Sequence, residues 1–236
     1  MNGYAVTAQF YDVMADDQHS AVDTQIAAAL TGLDTTAGPV VDIGAGTGLT
    51  TRVIATTLPD ADIFAVEPDP SMRCALMARV WSAPDLRRRV SIIPMGIMDA
   101  PLPATIAGAV LSASLVHFSP KERAKLWALL ANRLVAGGRV IAEVQCPYAV
   151  AIPQMQMVGS RIGRVEYEGQ ASAELLDEQR QRWCVTYRSV LDGKELACDS
   201  ATYDCWTISA DKIVAEASAA GLVGRADGNL VILDLR

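Results

Sequence analysis

The run Val40-Val41-Asp42-Ile43-Gly44-Ala45-Gly46-Thr47-Gly48 constrains the fold more than any other stretch of the chain. A short, β-branched apolar run stops at three alternating glycines, and apolar residues at helical spacing follow. Glycine lets the backbone turn sharply and lets a ligand approach without a Cβ in the way. Strand-to-helix turns of this kind cradle nucleotides, and the glycine spacing selects which. In the dinucleotide fingerprint the third glycine comes three residues after the second. Here Gly48 follows Gly46 by two, and Leu49 occupies the third-glycine slot. The phosphate-loop pattern fails too, because no Gly-Lys-Ser/Thr closes the turn. What remains is D-x-G-x-G-x-G.

The flanking pattern predicts alternating strands and helices. Val40 to Ile43 reads as a buried strand, Thr47 to Leu58 as a helix and Ile63 to Val66 as a second strand, closed by Glu67-Pro68-Asp69-Pro70. Ser71 to Trp81 reads as a helix, and Val90 to Ile93 and Ala109 to Ser112 as strands. Ser119-Pro120-Lys121-Glu122 is a capping box with proline at the first helical position. Its helix is expected to run to about Leu134 and stop at Gly137-Gly138, before a fifth strand from Arg139 to Val144. Such alternation implies a parallel sheet with helices on both faces, whose ligands sit at the carboxyl ends of the strands. Gly44, Glu67, Met98 and Ser114 fall there.

Upstream, Ser20 to Leu30 has helical spacing. Past Val144 the pattern changes, and Cys146 to Leu175 shows no clear period. Arg182 to Leu191 alternates like a strand, Asp192-Gly193 signals a hairpin, and Glu195 to Tyr203 returns. Ser209 opens a last helix, stopped by Gly221, and Leu222 to Ala226 and Leu230 to Leu235 pair about Asp227-Gly228. The expected organisation is an N-terminal helical lid (1–37), a ligand-binding core (38–145), an antiparallel insertion (146–207) and a final helix with a strand hairpin (208–236). The insertion is a candidate substrate cap or, through its Trp183 to Tyr203 hairpin, a candidate homodimer interface.

Composition narrows the partners. A chain of 236 residues, 51% hydrophobic, suits one α/β domain with an insertion. A net charge of -7 argues against general nucleic-acid or anionic-membrane binding. Arg87-Arg88-Arg89 is either a local basic patch or a solvated helix end. Five cysteines, with no C-x-x-C spacing, fit reduced thiols in the cytoplasm. Two histidines, His19 and His117, argue against a Cys/His zinc site, and no metal is expected. Met1-Asn2-Gly3-Tyr4 lacks a basic start followed by an apolar run, and no apolar stretch is long enough to cross a bilayer.

D-x-G-x-G-x-G resembles the first motif of class I S-adenosylmethionine-dependent methyltransferases. The resemblance covers about residues 38 to 145 and the final helix-hairpin. It implies a doubly wound, Rossmann-like, seven-stranded, mostly parallel α/β sheet of order 3-2-1-4-5-7-6, strand 7 antiparallel, with the antiparallel insertion after strand 5. It also implies a cofactor, S-adenosylmethionine, released as S-adenosylhomocysteine. By the same resemblance Gly44, Ala45 and Gly46 pack against its amino-acid and ribose end. Glu67, with Pro68, matches the second motif, where an acid accepts hydrogen bonds from vicinal ribose hydroxyls. Asp42 orients the turn and the cofactor's amino group, or is purely structural.

The third motif departs from the family. In Met95-Gly96-Ile97-Met98-Asp99-Ala100-Pro101-Leu102-Pro103, Ile97 stands where relatives carry an acid for the adenine amino group. Either Asp99 is shifted into that role, or Ile97 and Met98 are expected to flank the ring instead, or to plug the core. After the fourth strand, Ser114-Leu115-Val116-His117 replaces the N/D-P-P-Y of DNA and protein amino-methyltransferases, which favours a small-molecule acceptor. By the same resemblance Ser114 falls beside the cofactor. His117 is the candidate base for a hydroxyl or amine acceptor, or a loop histidine. Tyr11-Asp12 matches an aromatic-acid pair that contacts the cofactor or closes over the substrate, so Tyr11 is a candidate in both roles. The insertion's Tyr148, Tyr167, Trp183, Tyr187, Tyr203 and Trp206 form a substrate wall or the core of the added sheet.

The expected activity is therefore methyl transfer to oxygen or nitrogen of a small molecule by in-line displacement. An NAD(P)-dependent oxidoreductase shares the strand-glycine-helix start and the acid on the ribose. A non-catalytic cofactor-binding regulator or assembly protein would keep the fold alone.

Overall fold

The computed structural model describes residues 3–235, with residues 3 and 16–20 described in backbone only. Met1, Asn2 and the side chain of His19 lie outside the described residues. Two N-terminal helices, α1 (Gly3–Thr7) and α2 (Tyr11–Leu30), lead into β1 (Val40–Ile43), α3 (Leu49–Thr57), β2 (Ile63–Val66), α4 (Pro70–Ser82), α5 (Pro84–Arg89), β3 (Val90–Ile93) and β4 (Ile106–Leu111). A single 3-10 turn (Leu115–His117) precedes α6 (Pro120–Ala131) and β5 (Leu134–Glu143). The insertion supplies β6 (Ile152–Gln156), β7 (Ser160–Ile162), β8 (Val165–Asp177), β9 (Arg180–Leu191) and β10 (Lys194–Trp206). The chain closes with α7 (Ala210–Ala219), β11 (Leu222–Asp227) and β12 (Leu230–Leu235).

The main sheet runs β11-β12-β5-β4-β1-β2-β3. It is parallel except for β12, which is antiparallel to both β5 and β11. This is the expected order with its antiparallel seventh strand. The central strands are buried on both faces, and each face carries its own core. One centres on Trp127, Leu126 and Ile213 of α6 and α7, the other on Ile26, Ile54 and Leu76 of α2, α3 and α4. Ser119 accepts from the Glu122 N–H at the start of α6, and the Glu122 carboxylate accepts from Ser119, closing the capping box.

Three expectations needed correction. The stretch 146–175, which reads as irregular, holds β6, β7 and most of β8, strands of a five-stranded antiparallel sheet. Its alternation is hidden because the inward positions are small: Gly169, Ala171 and Ala173. A Cβ on Gly169 would lie 3.0 Å from the Met157 sulfur and 3.3 Å from that of Met14. Close packing therefore removes the hydrophobic signal that would mark the strand.

The helix opened by Ser119 ends at Ala131, and Gly137-Gly138 lie inside β5. Leu134 pairs with Ile106, then the register shifts so that Arg139 pairs with Gly108. The glycines make that bulge, Gly137 at φ 79°, and a Cβ on Gly138 would meet the Ala107 carbonyl at 2.7 Å. Finally, the helix expected from Ser20 begins at Tyr11, because Met14 and Ala15 already pack inward.

The arginine triplet is engaged at a helix end. Arg89 donates to the carbonyls of Ala55 (3.1 Å) and Ala61 (2.9 Å), Arg88 pairs with Asp85, and Arg87 lies over the Trp81 ring. Cations there complement the carbonyl end of α3. Among the described residues no helix is long and apolar enough to cross a membrane.

Candidate active site

The glycine turn leaves β1 at the carboxyl edge of the sheet. Gly44 sits at φ 73°, and a Cβ there would lie 2.6 Å from that of Ser114, so only glycine fits between the exits of β1 and β4. The Gly44 and Ala45 N–H groups donate to the Val66 carbonyl (2.9 and 3.1 Å), which ties the turn to β2.

Glu67 follows β2 and is buried (6% exposed). Its Oε2 accepts from the Gly46 N–H at 2.8 Å and its Oε1 from the Asp69 N–H at 2.7 Å. Desolvation raises its pKa above the ordinary carboxylate value, although the two amide donors oppose the shift. Each oxygen keeps a second lone pair, so the held carboxylate can still accept from two vicinal hydroxyls. Asp69 caps α4 through the Ser71 and Met72 N–H groups.

Asp42 lies behind the turn. It is 1% exposed, and its Oδ2 accepts from the Thr51 hydroxyl at 2.5 Å. Burial pushes its pKa up to about 7, with the nearby Glu67 charge adding to the shift. Thr47 of the glycine turn donates to Asp12 of α2 at 2.5 Å, and Arg79 of α4 bonds both Asp12 and the Thr47 carbonyl. The start of α2 is thus tied to the turn.

At the exit of β4, Ala113 takes φ 51°, in the left-handed region. Glu143, the last residue of β5, holds this turn: its Oε2 accepts from the Ser112 hydroxyl (2.9 Å) and the Ala113 N–H (2.7 Å). Ser114 follows, 6% exposed, with a buried hydroxyl that has no partner among the described residues. His117 comes next, its Nε2 2.6 Å from the hydroxyl of Tyr4 on α1. Its ring faces open cavity space, but surrounding protein desolvates it and lowers its pKa, so the neutral imidazole is favoured. Burial raises the pKa of Tyr4 far above that of a free phenol, so this hydroxyl keeps its proton.

These groups line one cavity of about 1080 Å³. That exceeds the usual size of a site for one small ligand and leaves room for two reactants. Of the residues singled out from sequence, Tyr11, Gly44, Gly46, Glu67, Pro68, Ile97, Met98, Ser114 and His117 line it. Asp42 and Ala45 do not: Asp42 supports the turn through Thr51, and Ala45 is packed into the α2–α4 core. Of the insertion's aromatics, Trp183, Tyr187 and Tyr203 reach the cavity. Tyr148 is exposed, Tyr167 packs against Phe10, and Trp206 lies under Arg180.

Sequence reasoning missed Tyr4, Asp69 and Glu143. Glu143 ends a central strand as Glu67 does, and the same argument could have found it. Tyr4 carries no local signal, since only the fold brings it to His117.

The residues fit S-adenosylmethionine: a carboxylate is held for a ribose diol, glycines leave a Cβ-free edge, and a buried hydroxyl awaits a partner. Comparison with known proteins points the same way. Residues 40–138 match the family model described as a methyltransferase domain. No curated protein matches the chain. Among solved structures, DesVI of Streptomyces venezuelae superposes with a TM-score of 0.79 at 16% identity, covering 97% of this chain and 96% of that one. The sugar N-methyltransferase KedS8 of Streptoalloteichus gives 0.70 at 16% identity, covering 91% and 86%. S-adenosylmethionine-bound CalS10 of Micromonospora echinaspora, an amino pentose methyltransferase, gives 0.70 at 17% identity, covering 93% and 91%. At such identities the likeness speaks to fold, while the family match speaks to the segment that holds the glycine turn and Glu67. Residues 40–138 thus match a methyltransferase domain, and the chain around them has the fold of the solved methyltransferases.

Proposed function

We propose that the protein methylates an amino nitrogen of a small acceptor that bears no phosphate or other strong anion. One observation carries this reading. Five carboxylates (Glu67, Asp69, Asp99, Glu122 and Glu143) line the cavity, and among the described residues no Lys or Arg does. A low-dielectric cavity of that sign favours cations and disfavours anions. The sugar N-methyltransferase that shares the fold supports the choice of nitrogen, and the amino pentose methyltransferase supports an amino-bearing acceptor.

When bound, S-adenosylmethionine supplies an electrophilic methyl group for in-line displacement. The chain's own residues bind and align. Glu67 would hold the ribose, Gly44 and Gly46 would leave space for the amino-acid end, Ile97 and Met98 would flank the adenine, and Ser114 and Tyr11 would complete the cofactor wall. An ammonium must lose a proton before it can attack. Neutral His117, reached through the Tyr4 hydroxyl, takes that proton: Tyr4 accepts one from the amine as it passes its own to Nε2. Tyr4, Tyr187 and Tyr203, from α1 and the insertion, wall the acceptor end and exclude water. The five free thiols suit a reducing, cytoplasmic setting.

The test is methyl transfer from labelled cofactor to paired small acceptors that differ only in carrying an amine, a hydroxyl or a phosphorylated group. Turnover confined to the amines is expected. A phosphorylated acceptor used in preference to its neutral counterpart would overturn the reading.

A further inference from the structure

Glu143 stands apart from the other carboxylates of the cavity. Glu67 has both oxygens engaged by backbone amides, Asp69 caps α4, and Glu122 closes the capping box of α6. Asp99 is exposed beside Met98, at the expected adenine end. Glu143 is anchored from both sides, since β5 pairs with β4 at Ala142 and Glu143 itself pairs with Leu230 of β12. Its Oε2 takes two donors, the Ser112 hydroxyl and the Ala113 N–H. Its Oε1 makes no hydrogen bond among the described residues, although the residue lines the cavity. Cys146 and Trp183 line the same cavity, and both the Cys146 thiol and the Tyr11 hydroxyl feel the charge of Glu143. The unpartnered hydroxyl of Ser114, two residues past the Ser112 that Glu143 holds, is a second polar group left for a ligand.

We propose that Glu143 is the specificity-determining residue for the acceptor: Oε2 fixes the β4 turn, and Oε1 receives the acceptor's ammonium. This rests on the amine reading above. A carboxylate immobilised by two donors in a cavity that also holds aromatic side chains binds a cation without reorganising, whereas a neutral hydroxyl gains the hydrogen bond without the ion pair. The same placement keeps the nitrogen close to the exit of β4, where Ser114 and His117 stand.

The experiment uses two probes of one shape, benzylammonium and benzyl alcohol, titrated by thermal shift in the presence of S-adenosylhomocysteine. Wild type is expected to bind the ammonium at least tenfold more tightly than the alcohol. Glu143→Gln keeps a carbonyl oxygen for Ser112 and Ala113 and removes the charge. It should abolish that preference and leave the shift caused by S-adenosylhomocysteine unchanged, a separation that a merely structural role would not produce. If Glu143→Gln does not fold, Glu143→Asp, which withdraws the charge by one methylene, should reduce the preference. A preference that survives either substitution overturns the assignment alone. Equal binding of the two probes by wild type removes the amine reading with it. The lack of any response to S-adenosylhomocysteine would remove the methyltransferase reading beneath both.

Discussion

Replacing Asp42 by Asn should change stability with opposite sign at low and high pH. Asp42 is fully buried, and its pKa is raised from 3.8 to about 7, chiefly by desolvation. A carboxyl whose folded pKa lies above its unfolded value binds its proton more tightly when folded. The folded state is therefore favoured below about pH 4 and loses that advantage as pH rises through about 7. A shift of roughly three units corresponds to about 4 kcal/mol lost by pH 8, a large share of a typical stability. Asparagine cannot titrate and keeps the Thr51 bond through its carbonyl oxygen, but it introduces a buried amide whose unpaired N–H costs about 1–3 kcal/mol at every pH. The variant should be less stable than wild type in acid and more stable by about 1–3 kcal/mol at pH 8. Between pH 5 and pH 8 the difference should swing by about 3 kcal/mol, or about 1 M in the urea midpoint. Urea titrations of both proteins across that range measure it directly. Other titrating groups cancel in the difference, apart from Glu67, whose repulsion with Asp42 the substitution also removes. A difference that stays flat with pH would refute the claim that burial governs this carboxyl.

Two further outcomes concern the ligands. Glu67→Ala should raise the dissociation constant for S-adenosylmethionine about 100-fold or more, since two hydrogen bonds to a charged acceptor are each worth about 1.5–3 kcal/mol; calorimetry giving unchanged affinity would remove the ribose assignment. His117→Ala should lower turnover by about 100-fold at unaltered cofactor affinity. Because burial lowers the imidazole pKa, the wild-type rate should persist below pH 6.5 and fall only as His117 protonates; full activity of the variant across pH would retire the base.

The part of the cavity built on the glycine turn was legible because its geometry is local. Gly44 and Gly46 answer to backbone geometry within one turn, and Glu67 follows at the end of the next strand, so spacing alone places them together. The part around Tyr4 and His117 was not. Tyr4 meets His117 across 113 positions of sequence, and no periodicity encodes that approach. β8 escaped notice because its inner face is built from Gly169, Ala171 and Ala173, residues chosen for closeness and not for hydrophobicity. Gly137 and Gly138 misled in another way: a glycine pair after a helix reads as a stop, but here it serves a bulge within a strand.

The third hydrophobic cluster, Phe10, Met14, Ala171, Val185, Tyr187 and Ala201, has a kinetic meaning. It joins the first helices to the last strands of the insertion, with the Phe10 and Tyr187 rings stacked 4.7 Å apart, and shares none of its residues with the two cores of the main sheet. A small unit of this sort can open without unfolding the rest. Since Tyr4, Thr7, Tyr11 and Met14 line the cavity beside Trp183 and Tyr187, loosening this patch would open that side of the chamber, while the Asp12 bonds to Thr47 and Arg79 keep α2 on the glycine turn. The rate at which methylated product escapes would then be set by a few stacked side chains remote from the methyl group, and a variant that softens their packing could turn over faster while binding its acceptor less well.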